Sequence, residues 1–198
     1  KMCGIVADIA VLTNVTQDHL DFFHTYKDYE KTKLSYFCPK YVKKAVVNVD
    51  DNAGKRLAYM LDKSDMDVVT YGLNNPADAF AIDVYEGIDG IRFVANLCDD
   101  LVDIRSSLYG EFNVYNLLAS LTVCAELGVH GEALARAVKK VKNVKGRFSV
   151  LRAEKGTIII DYAHTPDGLQ QLLSTARTIT KSRLITVFGC GGERDKSK

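Results

Sequence analysis

Residues Ile5 to Val15 read IVADIAVLTNV, an apolar run that is nearly continuous. Such a run is typical of a parallel β-strand that is buried on both faces of its sheet. Helical and strand patterns then alternate along the chain. The predicted elements are a helix over residues 26–37, a strand from Ala45 to Val49, a short helix from Ala53 to Leu61 and a strand from Asp67 to Tyr71. This alternation predicts βαβ units and an α/β fold with a mostly parallel, doubly wound sheet.

The segment from Ala79 to Tyr109 has shorter, alternating patterns that are interrupted by Gly87 and Gly90. We expect an antiparallel hairpin and a further strand there, forming a small sheet beside the main one. The next predicted elements are helices at Phe112 to Leu127 and Glu132 to Val141, and paired strands at Arg147 to Ala153 and Thr157 to Ile160, with a turn at Lys155 and Gly156.

The strand–helix rhythm restarts after Asp161, with a predicted helix from Pro166 to Thr180 and a strand from Arg183 to Phe188. Proline is tolerated in the first turn of a helix, where its missing N–H needs no partner. We therefore place a domain boundary at this restart. One domain is expected over residues 1–162, and the start of a second domain over residues 163–198.

The composition excludes several classes of protein. The chain has 198 residues, 47% of them hydrophobic, which is enough to bury a substantial core. Its formal net charge of +1, without basic runs, gives no sign of a nucleic-acid or membrane surface. No apolar run approaches the roughly 20 residues that span a bilayer. Five cysteines at irregular spacing fit a reducing cytoplasm better than a disulfide framework.

The stretch after the first strand gathers groups that bind divalent cations. Asp18, His19, Asp21 and His24 lie within seven consecutive positions of a predicted loop. Carboxylates suit magnesium, whereas the scattered cysteines argue against a structural zinc site. The alternative is that the two aspartates cap local turns and that His24 is solvated, so spacing alone leaves both interpretations open.

Lys33 occupies an unusual place in the predicted helix. It lies four residues after Tyr29 and four before Phe37, so it points with the aromatic stripe and not with the polar face. A lysine buried among tyrosines must extend to solvent, lose its proton or carry a modification. A capping box formed by Thr25 and Asp28 is expected to begin this helix.

Three further segments could contact a nucleotide. Gly110 to Asn116 begins a helix that places Asn113 and Asn116 one turn apart on one side. Asp161 follows a strand, where α/β proteins often meet a ribose or a metal. The loop from Phe188 to Lys196 is rich in glycine and carries positive charge, which suits a phosphate. For each segment the alternative is an ordinary turn or cap.

Seven segments, taken together and in this order, resemble the Mur ligase family. They are TNVTQDHLD, the helix containing YEKTK, VVNVDD, GEFNVYNLLASL, GRF, DYAHTPD and FGCGGERDKSK. The resemblance covers nearly the whole chain and is greatest to members that add the third amino acid of the peptidoglycan stem. It implies the second half of a central ATP-binding domain, then the start of a Rossmann-like C-terminal domain, in a cytoplasmic protein.

The resemblance implies an ADP-forming amide ligase that uses ATP and Mg²⁺. In the family, a phosphoryl group from ATP converts the substrate carboxylate into an acyl phosphate, which an incoming amine then attacks. The implied partners are a UDP-N-acetylmuramoyl dipeptide and a diamino acid, with diaminopimelate and lysine both open. No nucleic acid or membrane is implied, and we expect a monomer.

The resemblance also implies roles for individual residues. His19 would be a catalytic residue and a magnesium ligand, and Lys33 the lysine that CO₂ converts to a carbamate, which also helps to hold the metal. The other implied contacts are adenine for Asn113 and Asn116, the ribose for Asp161, the neighbourhood of the nucleotide for His164 and Arg194, and the UDP-sugar peptide for Lys1.

Several expectations and alternatives follow from the same comparison of motifs. The family's phosphate-binding loop would precede Lys1, so we expect a fragment that is inactive alone. A folylpolyglutamate synthase-like ligase has a pattern closer to DGAHNP, and Tyr162 and Thr165 argue against it. A catalytically silent nucleotide-binding module remains an alternative. The related glutamine-amidotransferase partner typically carries a CxxC zinc insert, which this chain lacks.

Overall fold

The computed structural model describes residues 4–16, 20–154 and 156–189. Six strands form one sheet in the order of the sequence. They are β1 (Ala7–Leu12), β2 (Val42–Asn48), β3 (Asp67–Gly72), β4 (Ala79–Gly87), β5 (Gly90–Leu97) and β6 (Asp100–Ser106). The pairs from β1 to β4 are parallel, and the pairs β4–β5 and β5–β6 are antiparallel. A second sheet contains β7 (Ser149–Ala153) and β8 (Gly156–Ile160), which are antiparallel.

Within the described ranges, six helices connect or follow these strands. They are α1 (Leu20–Phe23), α2 (Tyr26–Leu34), α3 (Asn52–Leu61), α4 (Glu111–Glu126), α5 (Glu132–Lys140) and α6 (Pro166–Ile179). Thr25 caps α2 as predicted, because its hydroxyl accepts the Asp28 N–H at 3.1 Å. Only half of the predicted capping box forms, since the Thr25 N–H donates to the Phe23 carbonyl at 2.6 Å and not to the Asp28 carboxylate. Thr165 caps α6 in the same way, accepting the Gly168 N–H at 3.1 Å, and Pro166 occupies its first turn.

Two hydrophobic cores lie on the two faces of the main sheet. Val47 of β2 packs with α2 and α3, whereas its neighbour Val46 faces the core formed with α4 and α5. Both valines are fully buried. Successive residues of a strand point to opposite faces, so the part of β2 from Ala45 to Val47, which is covered on both sides, is apolar. The first strand, predicted to be buried on both faces, is instead at the edge of the described sheet, and Val11 of β1 is 38% exposed. The predicted α/β class, with a mostly parallel, doubly wound sheet, is confirmed.

The antiparallel strands differ from the prediction in their placement. The segment from Ala79 to Tyr109 does not form a sheet of its own, because β4 pairs with β3 through Tyr71 and Ala79 and extends the main sheet. The small antiparallel sheet is the β7–β8 pair instead. Local alternation predicts a strand, but strand pairing is decided by partners that are distant in sequence.

The strand predicted from Arg183 to Phe188 is wrong. Residues 183–189 are among those described, and they form neither a strand nor a helix. Val187 is 94% exposed and Phe188 is 70% exposed. A strand needs a hydrogen-bonded neighbour, and within the described ranges this segment pairs with neither sheet.

Candidate functional site

A cleft of about 730 Å³ opens beyond the carboxyl ends of β1 and β2. Its walls come from the start of α4 and from the segment that leads into α6. The residues that matter for its chemistry include Thr13, Asn48, Asn113, Asn116, Asp161 and His164. Ligands of open α/β sheets bind outside the carboxyl ends of the strands, so this is the expected place for a site.

Asn113 and Asn116 lie side by side at the beginning of α4. The Asn116 amide donates to Oδ1 of Asn113 at 3.2 Å, and the Asn113 amide donates to the Tyr109 carbonyl at 2.8 Å. Asn113 is half-buried, whereas Asn116 is exposed. The structure therefore brings the two predicted asparagines together on the cleft wall, where Asn116 keeps polar atoms that could meet a ligand.

Asp161 follows β8 directly and lines the same cleft as these asparagines. One carboxylate oxygen accepts the Phe148 N–H at 2.7 Å, and the other accepts the Ala163 N–H at 2.6 Å. Asp161 is therefore a turn residue, as the alternative interpretation held, and it also lines the cleft. A carboxylate has four acceptor positions, so these two bonds leave it able to accept from a ligand.

An aromatic and cationic wall continues from Asp161. The Arg147 guanidinium lies 5.1 Å from the centre of the Tyr162 ring, and that ring lies 5.1 Å from the ring of His164. His164 is exposed, and its Nδ1 lies 3.0 Å from the Tyr162 carbonyl oxygen. Arg147, to which the sequence pattern gave no role, lines the cleft together with Val144 and Phe148.

Besides Asp161, the cleft contains the carboxylate of Asp50, which was not predicted from the sequence. It follows β2 and accepts five hydrogen bonds from four residues, Leu73, Asn74, Asn75 and Tyr115. Burial by itself would raise the pKa of Asp50, but the donors from Asn75, Leu73, Tyr115 and Asn74 outweigh it and lower the pKa below its ordinary value. Two consecutive aspartates, Asp50 and Asp51, follow the parallel strand β2, and this pattern could have indicated that Asp50 lies at the site.

The other two polar residues at the end of β2, Asn48 and Asp51, both form hydrogen bonds within the protein. Asp51 caps α3, because its Oδ1 accepts the N–H groups of Ala53 and Gly54 at 3.0 and 3.1 Å. The buried Asn48 side chain donates to the Thr13 carbonyl at 2.8 Å and accepts the Asp50 N–H at 2.9 Å. These bonds fix the carboxyl ends of β1 and β2 relative to each other and form the floor of the cleft.

Lys33 lies in a different environment from the one predicted. Its side chain is exposed, and Nζ lies 5.3 Å from the centre of the Tyr29 ring. The expectation that Lys33 is buried among tyrosines is therefore wrong. Tyr29 and Leu34 close the core beneath α2, and the flexible lysine stem carries the ammonium group outward over the ring face.

The charged group that α2 buries is Glu30. It is 9% exposed and receives the Arg56 guanidinium of α3, whose Nε lies 2.7 Å from the carboxylate. A buried carboxylate needs a partner of this kind, because desolvation without a partner costs several kcal/mol. The pair joins α2 to α3, and sequence reasoning did not identify it.

The predicted site residues Lys1, Asp18, His19 and Arg194 lie outside the described residues, as does the predicted phosphate loop after Gly189. Within the described ranges, no group of three or more His, Cys, Asp or Glu side chains is placed to hold a metal ion. The part of the chain that the structure describes also contains no helix long and apolar enough to cross a membrane.

Comparisons with known proteins agree with the fold. The chain matches the Mur ligase middle domain over residues 1–124 and the Mur ligase, glutamate ligase domain over residues 146–198. It is 37% identical over 191 residues to the UDP-N-acetylmuramoyl-L-alanyl-D-glutamate–2,6-diaminopimelate ligase of Alkaliphilus oremlandii, covering 96% of this chain and 39% of that protein. The ligase of the same name from Caldanaerobacter subterraneus subsp. tengcongensis is 40% identical, with the same coverage of 96% and 39%.

Solved structures show the same relationship. A structure of UDP-N-acetylmuramoyl-L-alanyl-D-glutamate–2,6-diaminopimelate ligase superposes with a TM-score of 0.74 at 34% identity, covering 95% of this chain and 39% of that one. The MurF ligase of Thermotoga maritima in complex with ADP gives a TM-score of 0.71 at 25% identity, covering 85% and 38%. The chain spans about two fifths of the length of these relatives. Because the middle-domain match over residues 1–124 includes more than half of the sequence, the chain belongs to the Mur ligase family.

Proposed function

We propose that this chain is part of an ATP-dependent ligase that joins 2,6-diaminopimelate to UDP-N-acetylmuramoyl-L-alanyl-D-glutamate. The product would carry the third residue of the peptidoglycan stem peptide. Relatives that carry the name of this activity match almost the whole chain at 37% and 40% identity. Those names support diaminopimelate over lysine, which the sequence by itself left open.

The observation that carries the proposal is the composition of the cleft. Asn113 and Asn116 reach it from α4, whereas Asp161 and His164 reach it from the segment between β8 and α6. Its volume of about 730 Å³ lies in the usual range for small-molecule sites. Amide groups suit a base edge, a carboxylate suits ribose hydroxyls, and the exposed Tyr162 ring offers a stacking surface. These groups fit a nucleotide.

Lys33 and His19 would serve the metal side of the same reaction. We propose that Lys33 reacts with CO₂ to form a carbamate, and that this anion and His19 help to hold Mg²⁺. In that reaction the neutral Lys33 nitrogen would bond to the carbon of CO₂ and release one proton, and its exposed position lets CO₂ reach the nitrogen. Arg194 is proposed to lie near the nucleotide, and Lys1 near the UDP-sugar peptide.

ATP would supply a phosphoryl group that activates the substrate carboxylate as an acyl phosphate, and magnesium and basic side chains would neutralise the charge that develops. The described residues would contribute mainly by orientation. Asn113 and Asn116 would hold the base, Asp161 the ribose, and the bonds around Asn48 would keep the strand ends in place. Catalysis of this type depends on positioning more than on covalent help from the protein.

We also propose the domain division at residues 1–162 and 163–198, and a cytoplasmic location. Support for the location comes from the proposed substrates, because ATP and a UDP-linked dipeptide are cytoplasmic metabolites. Limited proteolysis of the complete protein tests the division: we expect the first cut near residues 161–164, and a first cut elsewhere would contradict it.

The experiment that tests the proposed function measures ADP release by the complete protein. The mixture contains ATP, Mg²⁺, UDP-N-acetylmuramoyl-L-alanyl-D-glutamate and diaminopimelate, with lysine in a parallel reaction. We expect sustained ADP release and a product heavier by one diaminopimelate residue. Turnover with a folate and glutamate would favour the folylpolyglutamate synthase-like alternative. ATP binding without turnover, and without a carbamate on Lys33, would favour a silent module.

A further inference from the structure

The Asp50 carboxylate joins three parts of the fold. It lies at the end of β2, and both of its oxygens accept hydrogen bonds. The N–H groups of Leu73, Asn74 and Asn75 donate at 2.6, 3.0 and 2.9 Å, and the Asn75 amide donates at 2.6 Å. Asp50 therefore fixes the loop that follows β3 against the end of β2.

The fifth bond reaches α4. The Tyr115 hydroxyl donates to the Asp50 carboxylate at 2.7 Å and accepts from the Asn74 amide at 3.1 Å. Tyr115 belongs to the same helical turn as Asn113 and Asn116. A single hydrogen bond to a charged group thus connects the strand end to the turn that carries both asparagines.

The geometry excludes Asp50 as a metal ligand even though it lines the cleft. Its oxygens are surrounded by N–H and O–H groups, whose positive ends point at the carboxylate. A divalent cation at the same oxygens would face those dipoles and displace several bonds. Space is also limited, because a Cβ at Gly72 would lie 3.1 Å from either Asp50 oxygen.

We propose that Asp50 and Tyr115 are positioning residues that set the first turns of α4 against the strand ends and so direct Asn113 and Asn116 into the cleft. This inference rests on the proposed function, because it assigns the two asparagines to the nucleotide. Neither Asp50 nor Tyr115 touches the reacting atoms. Substitutions at Asp50 or Tyr115 would therefore lower the affinity for ATP and leave the rate of the chemical step unchanged.

The test compares Tyr115→Phe with a matched control in the same helix, in the complete protein. Tyr115→Phe keeps the ring and removes only the hydroxyl. The control is Thr122→Val, which removes a buried hydroxyl that donates to the Leu118 carbonyl at 2.8 Å, away from the cleft. Tyr115→Phe loses the hydroxyl's bonds with Asp50 and Asn74, and Thr122→Val loses the bond to Leu118, so a general loss of stability affects both variants.

For Tyr115→Phe we expect the KM for ATP to rise about fivefold, the scale of one lost hydrogen bond, with kcat within about twofold. The KM for diaminopimelate and the Mg²⁺ concentration for half-maximal rate should be unchanged. Asp50→Asn should raise the KM for ATP at least as much, because the amide hydrogens of the new asparagine would point at the N–H and O–H groups that donate to Asp50 in the wild type. Thr122→Val should match the wild-type KM. An unchanged KM for ATP in Tyr115→Phe overturns the proposal, as does an equal rise in Thr122→Val.

A second measurement separates this inference from the proposed function. Hydrogen exchange at the amides of residues 113–117 should be faster in Tyr115→Phe than in wild type, and unchanged in Thr122→Val. If the wild-type protein releases no ADP with the three substrates, the proposed function is wrong. In that case hydrogen exchange alone tests whether Asp50 and Tyr115 position the start of α4. Faster exchange at residues 113–117 in Tyr115→Phe supports this role, and unchanged exchange overturns it.

Discussion

Asp161 accepts the backbone N–H of Phe148 at 2.7 Å and thereby joins the residues just before β7 to those just after β8. Phe148 is fully buried against Tyr109 and Phe112 and has a φ of +46°, which is uncommon outside glycine. Its carbonyl accepts from the Asn143 amide at 2.6 Å. The surroundings thus hold a strained backbone in place at the cleft wall, as is common at functional sites.

Asp161→Ala should weaken both the fold and the proposed nucleotide site. The Phe148 N–H would lose its partner, at a cost of about 1–3 kcal/mol in the free energy of unfolding. In the complete protein we expect the KM for ATP to rise by at least about tenfold, and more than the KM for the amino acid. Steady-state kinetics and denaturation measure the two effects. A larger rise in the KM for the amino acid would remove Asp161 from the nucleotide site.

Lys33→Ala should separate activity from stability. Lys33 is exposed, so the free energy of unfolding should change by no more than about 0.5 kcal/mol. If Lys33 becomes a carbamate, activity of the complete protein should fall at least about 100-fold, with partial rescue by added short carboxylates. The control is Lys31→Ala, an exposed lysine of the same helix, which should keep wild-type activity. Normal rates in Lys33→Ala would show that the carbamate role is wrong.

Gly54→Ala should be among the most damaging substitutions in the chain. A Cβ at Gly54 would lie 1.8 Å from the Asn48 carbonyl oxygen, because α3 packs tightly against the end of β2. Backbone would have to move, and we expect a loss of about 3 kcal/mol or more. The control is Gly156→Ala, where no described atom apart from the glycine's chain neighbours lies within 4 Å of the added Cβ. Equal stability of the two variants in urea denaturation would contradict the close packing described here.

The sequence predicted the fold class because periodicity is a local property. The helix that became α3 was predicted from Ala53 to Leu61 and runs from Asn52 to Leu61. The placement of β4 in the main sheet was not predicted, because its pairing with β3 depends on how the two strands meet in the folded protein and not on the local pattern. The strand from Arg183 to Phe188 failed for the same reason, since an apolar run forms a strand only beside another strand.

The site was predictable in part. Asn113, Asn116, Asp161 and His164 do line one cleft, but spacing alone left each with an ordinary structural explanation. The acidic pair at the end of β2 was a signal for Asp50, but the five hydrogen bonds that it accepts could not be predicted, since their donors come from two distant segments. The sequence left open whether the Lys33 amine reaches solvent, because helical periodicity gives the direction of a side chain and not where a long, flexible one ends.

The pH dependence of stability should report the Asp50 bonds. Because the pKa of Asp50 is lowered in the folded chain, its contribution is complete above the unfolded value of about 4 and disappears as the pH falls through the lowered value. At pH 7, Asp50→Asn should cost about 1 kcal/mol, allowing for partial exposure. The difference in the free energy of unfolding between Asp50→Asn and wild type should become smaller below about pH 4. A difference that stays constant from pH 7 to pH 3 would contradict this assignment.

The central claim is that the cleft beyond β1 and β2 binds the nucleotide. A crystal structure of the complete protein with ADP and Mg²⁺ tests it most directly. We predict the adenine within hydrogen-bonding distance of Asn113 or Asn116, and a ribose hydroxyl donating to the Asp161 carboxylate. Nucleotide density elsewhere, with these three side chains making no contact to it, would contradict the account.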